Sequence, residues 1–589
     1  IGCSDATIDI YNIRSYNNNL NRYQLLDNYI ADMDDVEKKR DLYLRNQIYD
    51  DYGSVSFQKV NKMIDCLVFE GDLPQYKGDK KTNKVYLFSS VNSSLDWIAD
   101  IKNNVQGTSS QYYPRKNNKF EFIDGITYTE TGMKEDSYQV TDDVLPAAVF
   151  CVKTDFAESS GTHNTGVANM IDTMLKEMNI LTDAQKANPK VRTTVAGRPC
   201  LLFHKETADS EPVFIGKVNL NTDKAAENTF GFKEGDESWE FLNNTSDLTL
   251  FKTGDMTGWE NNIEARYPDG NTDITNVRKV FEWVHSCKGN VEKFKSEFSQ
   301  YFDKDNVVFY ALITLALGMT DQRAKNMFLT RIGNGKWSFI FYDNDTLIPI
   351  NNEAVIEFLY NVEIQDTIGN KNVWNGADSE LWKLVEEAFA DDIREMYYTM
   401  RQRGIFSYDK MIDCLYTRQA EKWSEAIYNE DGYFKYEQPL IEGYLDYSQS
   451  HENPQIVKTG AYLYALQGSR ELYGKWIWKN RFLYLDSKFL AGSILSDTAV
   501  FRTYTPSVWT GVAPCADLTL TSFNAMYFNV KWGSATRSQR VGFNESFKMV
   551  APQGMTFNDT EMIIYGASLI TSLGDLSALY PGSVDVSKM

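Results

Sequence analysis

Residues 305–350 read DNVVFYALITLALGMTDQRAKNMFLTRIGNGKWSFIFYDNDTLIPI, and the order of parts within them decides how the chain is read. The nearly continuous apolar run from Val307 to Met319 predicts a buried helix. It delivers Asp321 and Asn326, five positions apart, to the loop beyond. A GNG turn then folds the strand MFLTR back on KWSFIFYD, and the hairpin ends in Asp343 and Asp345. The spacing suits a specific chemistry. An Asp at the start of such a loop orients a hydroxyl, while an Asn beyond four intervening residues turns back with a later Asp to hold Mg²⁺, a hard ion that prefers oxygen ligands. The competing reading is structural: Asp321 caps a loop, Asn326 opens a strand, and Asp343 and Asp345 close one, because Asx residues favour turns.

Phosphoryl-transfer enzymes of the protein-kinase type use this same order of helix, D-x-x-x-x-N loop, β-hairpin and metal-binding Asp. The His-Arg that precedes the Asp in such enzymes is Met319-Thr320 here, and fold and activity are separate questions.

At 589 residues the chain is long enough for several domains of about 100–200 residues each. With 42% hydrophobic and 14% aromatic residues it can bury a large core. A net charge of −21 argues against nucleic acid as a bound ligand, since duplex binding depends on Lys and Arg at the phosphates. It remains compatible with an acidic wall past which DNA slips without specific binding. The seven Cys, at 3, 66, 151, 200, 287, 414 and 515, are odd in number and form no CxxC pair, so they read as reduced core residues. Four His, at 163, 204, 285 and 451, show no HxxxH or HExxH spacing and read as structural. Glu386-Glu387 reads as a solvated helix face rather than a glycosidase pair. No membrane-spanning segment is expected, the longest apolar run being well short of the roughly 20 residues required. No signal peptide is visible; the first residue is Ile1 rather than Met, and an N-terminal piece is expected to precede it.

Four regions follow from the pattern, in an α+β chain. Residues 1–75 form a polar arm with a charged helix over 30–50, lying on a larger surface or binding a partner. Residues 76–270 form a β-rich lobe. Within it Gly107, Ser109 and Ser110 make a small-residue turn whose N–H groups suit a phosphate, followed by Arg115, Lys116 and Lys119. An ordinary hairpin with a basic edge explains the same residues. A strand carrying Lys153 ends near Asp155, and a helix begins at about Thr165 with Val167, Ile171, Met174, Leu175 and Met178 on one face. GTHNTG has phosphate-loop spacing but no following Lys, so that assignment is rejected. VRTTVAGRPCLLFHKE, turned by AGRP, then VFIGKVNLNTDK and WEFLNNTSDLTLFK, read as further strands. Residues 271–490 form a helical lobe, with helices over 276–302, 379–404 (stopped by Gly404), 409–428 and 460–490. Residues 491–589 alternate in Thr, Ser, Val and Tyr and read as a β-rich module.

With these pieces placed, the chain resembles the spore-coat-kinase (CotH-like) family, a branch of the protein-kinase-like fold. The resemblance covers roughly residues 60–350. It rests on VQGTSSQYYPRKN at 105–117, similar to the family's Gly-x-Ser-Ser and Pro-x-Lys; on FCVKTDFAESSGTHNTGVAN at 150–169; and above all on MTDQRAKNMFLTRIGNGKWSFIFYDND at 319–345. It implies a two-lobed unit with Asp321 as catalytic base, Asn326 and Asp343 as metal ligands joined by the neighbouring Asp345, and Lys116 or Lys153 as phosphate partner. Gly107, Ser109 and Ser110 would touch the cofactor, and the cofactors would be ATP and Mg²⁺ if the site is live. The chain departs from the family in two places. GKVNLNTDK at 216–224 lacks the Glu that fixes the phosphate-binding Lys, and Tyr342 stands where Trp precedes the metal Asp. A Lys without that Glu is poorly oriented, which implies a weak or silent centre.

The stretches ESWEFLNNTSDLTLFK, NIEARYPDGN and SLGDLSALYPGSVDVSKM also resemble muzzle-type tail structural proteins of crAss-like bacteriophages. That resemblance implies a virion tail component made in the host cytoplasm, assembled as a homo-oligomeric ring with other phage tail proteins, and continuing past Met589. In it the kinase-like unit would be an architectural block, the alternative being an active protein kinase.

Overall fold

The computed structural model describes residues 56–348 apart from loop positions 92–93, 108–109, 113–114, 156–160, 225–226, 244–245 and 334. It also describes 378–423, positions 363, 367–368, 371–372 and 427, most of 478–489, and the backbone of the strands between 501 and 569. The expected helix over 30–50 and most of that over 460–490 lie outside the described residues.

The first unit is a closed sheet. Its strands are β1 (Cys66–Glu70), β2 (Lys81–Ser89), β3 (Ser94–Gln106), β4 (Asn117–Phe122), β5 (Ile126–Tyr128), β6 (Lys134–Glu135), β7 (Val149–Lys153), β8 (Gly197–Lys205) and β9 (Val213–Thr222). The order is β2-β1-β8-β9-β7-β4-β3-β5-β6, and β2 also pairs with β3, so the run from β2 round to β3 closes into a barrel. Alternation along each strand explains its two faces. Leu67, Phe69, Val85, Leu87, Trp97, Ile101, Phe120, Phe150, Val152, Val218 and Leu220 fill one apolar cluster inside. The residues between them, Lys119, Cys151, Lys153, Lys217, Asn219 and Asn221, point away from it. β1 lies in the barrel, so the polar arm expected over 1–75 runs into a core strand.

The second sheet has the order β11-β10-β12-β13, with β10 at Glu237–Phe241, β11 at Ile263–Tyr267, β12 at Met327–Arg331 and β13 at Trp337–Phe341. The hairpin read from the sequence is β12–β13, in register from Met327↔Phe341 to Arg331↔Trp337. Its neighbours β10 and β11 come from the stretch that sequence pattern grouped with the first lobe. Around this sheet lie α1 (His163–Met178), α2 (Ser246–Thr253), α3 (Thr275–Ser286), α4 (Val291–Tyr301), α5 (Lys304–Ala316), α6 (Glu380–Ala388) and α7 (Ala390–Gln402). They share one large apolar core that also takes the outer residues Cys66, Val68, Leu201 and Phe203 of the barrel.

Three expectations are corrected. SDLTLFKT reads as alternation, yet it is helix α2, because the adjacent Leu250 and Phe251 are both fully buried and only a helix sinks neighbours into one core. Gly197 opens β8 instead of turning the chain. A Cβ there would stand 1.9 Å from Asn221 Oδ1 and 2.7 Å from the Leu220 carbonyl oxygen, so the glycine permits close approach of β9. Residues 379–404 are two helices, α6 and α7, broken at Phe389 (φ −120°), whose ring packs on Phe298.

Helix α5 occupies the place foreseen for it and is buried on nearly all sides, as its apolar sequence requires. Its ends are tied down by polar groups. Asp303 accepts the Asn306 N–H at the start, and Arg481 donates to the Leu315 and Ala316 carbonyls at the end (2.6 and 2.8 Å). Farther along the same segment as Arg481, Asp486 is clamped by Arg401 through two 2.8 Å contacts and by Tyr397 Oη at 2.7 Å. Asn306 also completes the edge of the second sheet. Its amide donates to the Phe339 carbonyl (3.2 Å) and accepts from the Phe339 N–H (2.7 Å), at an edge where no further strand pairs with β13 among the described residues. Among the described residues no helix is long and apolar enough to cross a membrane. Cys66, Cys151, Cys200 and Cys287 are buried free thiols, and Cys414 is a partly buried one.

The outlying strand pairs include Cys515–Thr519 with Ser546–Val550, and Met526–Trp532 with both Ala535–Val541 and Tyr565–Leu569.

Asn306→Ala strands both Phe339 backbone groups in a buried setting. The expected loss is about 1–3 kcal/mol per unsatisfied group, read by urea unfolding; an unchanged midpoint would contradict the role given to this amide.

Candidate active site between barrel and hairpin

Strand β7 ends at Lys153 and strand β13 runs out through Tyr342 to Asp343. The two ends meet: Lys153 Nζ lies 2.8 Å from Asp343 Oδ1, with the lysine side chain 7% and the aspartate 25% exposed. Asp343 holds a left-handed backbone (φ +55°), a conformation that Asp and Asn adopt more readily than other residues with a Cβ. Gln322, next to Asp321, does part of the holding by donating its Nε2 to both the Tyr342 and the Asp343 carbonyls at 2.9 Å. His163, at the start of α1, places Nδ1 3.2 Å from the Asp345 carbonyl oxygen. The other described histidines also meet backbone oxygens, His204 that of Gly71 and His285 that of Lys252, while His451 lies outside the described residues.

Electrostatics separates the two hairpin carboxylates. Burial works against the charge on Asp343, but Lys153, with smaller contributions from Lys224 and Lys325, holds its carboxyl below the usual range. Burial and the charge of Asp343 push Asp345 well above that range; Lys153 opposes, and Asp155 and Asp321 add to the rise. Burial likewise disfavours the Lys153 ammonium, yet Asp343, Cys151 and Asp345 raise its pKa, so the amine stays charged. Asp343, Asp155 and Asp321 therefore all act on Asp345.

The loop that carries Asp321 is anchored by a residue the sequence reading passed over. Arg323 is buried and donates through Nε to Thr314 Oγ1 (3.0 Å), through one terminal nitrogen to the Ala311 carbonyl (2.9 Å) and through the other to Glu386 Oε1 (2.6 Å). Its guanidinium also lies 5.3 Å from the Trp382 ring. One side chain thus pins the loop to α5 and α6, and Glu386 is its partner rather than part of a purely solvated face. An Arg between the Asp and the Asn, directly after an all-apolar helix, was the available signal. Within the loop the Ala324 and Lys325 N–H groups donate to the Asp321 carbonyl, and Asn326 takes φ +55°.

The other sequence candidates fall at varying distances from this centre. Lys116 donates to the Gln111 carbonyl at 2.8 Å, within its own loop, so of the two candidate lysines it is Lys153 that reaches Asp343. Gly107 (φ +102°) must be glycine, because a Cβ would lie 1.8 Å from Ser110 Oγ. Ser110 Oγ faces the Gln106 carbonyl at 3.5 Å, and Ser109 lies outside the described residues. The turn borders the cleft, since Gln106 Nε2 donates to Tyr342 Oη at 2.9 Å. Lys119 bonds Asp223 (2.7 Å), which also accepts from the Cys151 thiol (2.9 Å). Where a Glu was missing from 216–224, Asn219 donates to Asp155 Oδ2 and the Gly161 carbonyl, both at 2.9 Å. Lys153 is therefore not unpaired; its carboxylate comes from the hairpin.

The donor set fits Mg²⁺ accompanied by phosphates. Among the described residues no three His, Cys, Asp or Glu side chains form a metal cage. Mg²⁺ asks less of the protein, taking one or two carboxylates and completing its shell with water and substrate phosphate. Asp343 and Asn326 supply hard oxygens, and Asn344, between Asp343 and Asp345, is fully buried with neither polar side-chain atom partnered among the described residues.

Replacing Asn326 separates backbone from side chain. Asn326→Gly keeps the left-handed geometry, whereas Asn326→Ala meets a penalty of about 1–2 kcal/mol. Paired thermal denaturation should rank the alanine variant lower; equal melting of the two would contradict the strain.

The described cleft joins a barrel that ends at Thr222 to a region that begins just after it. No match was found among curated proteins. Residues 224–455 match the CotH kinase protein family, so the chain contains a CotH kinase-family domain that holds the second sheet, the Asp321–Asn326 loop and Asp343.

Proposed function

We propose that the cleft binds a nucleoside triphosphate with Mg²⁺ and transfers its terminal phosphoryl group to a protein hydroxyl. The observation that carries this reading is the meeting of Lys153 from the barrel with Asp343 from the hairpin, next to Asp345, which feels the charge of Asp321. Asn326 and Asp343 would hold the metal, and their oxygens suit it. When bound, Mg²⁺ neutralises charge on the phosphate oxygens. Asp321, at the head of the loop fixed by Arg323, accepts the proton of the acceptor hydroxyl. Lys153 stays protonated in its buried position and offers its charge to the phosphates. Gln322 fixes the backbone that aims the Asp343 carboxylate. Asn326 and Asp345 side chains make no hydrogen bond among the described residues, which leaves their oxygens available.

A second reading is an architectural block of a virion tail, assembled as a homo-oligomer with other tail proteins. It is supported by the strand pairs after residue 501, which lie beyond the matched domain, and by the absence of a Glu on β9 beside Lys153.

Labelled ATP with Mg²⁺ or Mn²⁺ distinguishes the two. The expected outcome is phosphate incorporation by the wild type that falls about 100-fold or more in Asp321→Ala, the range of a lost general base. Asp343→Ala should abolish a metal-dependent thermal shift by nucleotide. No incorporation and no shift in the wild type, with ring or particle assembly intact in both variants, would sink the kinase reading and leave the architectural one.

A further inference from the structure

Tyr342 is flanked by two lysines. Lys153 Nζ lies 5.9 Å from its ring centroid and Lys224 Nζ 5.4 Å, and both charges act on Asp343. Lys224 follows the last residues of β9 and stands at the junction between the barrel and the second sheet. Its ammonium donates to both oxygens of Glu240, at 2.6 and 2.7 Å. Glu240 sits on β10 with 4% of its surface exposed, and it also accepts from Arg266 Nε of the neighbouring strand β11. Arg266 in turn meets Glu264 at 2.5 Å.

We propose that Lys224 is a second phosphate-directed lysine of the cleft, and that Glu240 is its positioning partner. The inference rests on the phosphoryl-transfer reading and deepens it by naming a group that would meet the polyphosphate tail. An ammonium has three N–H donors. The two close oxygens of Glu240 fix the position of the amine, and at least one N–H remains for another acceptor. The Lys224 side chain is 23% exposed against 7% for Lys153, so it is the more open of the two amines around Asp343. Glu240 is shared with Arg266, and Arg266 is balanced in turn by Glu264, so the cluster is close to neutral and what it offers beside Tyr342 is a placed N–H donor. A phosphate chain held through metal at Asp343 would pass that donor. A Lys–Glu pair on the matched domain thus does the orienting that the sequence lacks at 216–224, where no Glu stands beside Lys153.

The test uses the full chain and titration calorimetry with ATP·Mg²⁺ and ADP·Mg²⁺, alongside steady-state phosphate incorporation. Lys224→Met should weaken both nucleotides tenfold or more and raise KM more than it lowers kcat. Lys224→Arg, which keeps charge on a longer fork, should recover part of the loss. Glu240→Gln should fall between, since the lysine remains but is no longer aimed; its melting temperature is read in parallel because Glu240 is buried. Nucleotide affinity unchanged in Lys224→Met, while Asp343→Ala abolishes binding, overturns the role of Lys224 and leaves the phosphoryl-transfer reading standing. A wild type that binds neither nucleotide overturns both.

Discussion

Lys153 closes a barrel strand and Asp343 follows a strand of the second sheet, and the 2.8 Å contact between them spans 190 positions of chain. A buried ion pair is a costly way to join two units, because both charges lose water and their attraction restores the balance only in good geometry. An apolar pair of similar volume would hold the units at least as well. The pair is better understood as the reason the outer face of β7 is polar at all. The same face of β9 presents Lys217, Asn219 and Asn221, while the alternate positions Val218 and Leu220 stay in the barrel core.

The second sheet and its helices keep that contact in place. Helix α5 is apolar enough to vanish into the core, yet its sites of attachment are polar: Asp303 and Arg481 at its ends, Asn306 against Phe339, and Thr314 and the Ala311 carbonyl against Arg323. The apolar stripe sets depth, and the hydrogen bonds set rotation and register. From that fixed helix the Asp321 loop projects toward Asp343, and Gln322 joins loop to hairpin directly. Both Asn326 and Asp343 carry positive φ, a conformation few other residues with a Cβ would accept, and the anchors around them hold the segments that aim the side chains.

Much of this was legible in the sequence because it is local. The apolar run, the D-x-x-x-x-N spacing and the GNG turn predict helix α5, the loop and the β12–β13 hairpin from neighbours in the chain. What escaped was non-local. β10 and β11 read as more of the first lobe, since nothing in ESWEF or IEARY tells which sheet will take them. The choice between Lys116 and Lys153 depends on which amine reaches a carboxylate far along the chain. SDLTLFKT alternates like a strand, and only the core that receives both Leu250 and Phe251 makes it a helix. Arg323 and Gln322 looked like filler between the Asp and the Asn, because their partners on α5, α6 and the hairpin are set by tertiary packing.

The claim that Lys153 and Asp343 help to couple the barrel to the hairpin is tested most directly by a double-mutant cycle on Lys153→Met and Asp343→Asn, read by urea unfolding. The account predicts a coupling energy of at least about 1 kcal/mol, within the range for residues in direct contact, with the double variant less damaged than the sum of the single ones. Losses that simply add would show that the two side chains are neighbours without being partners.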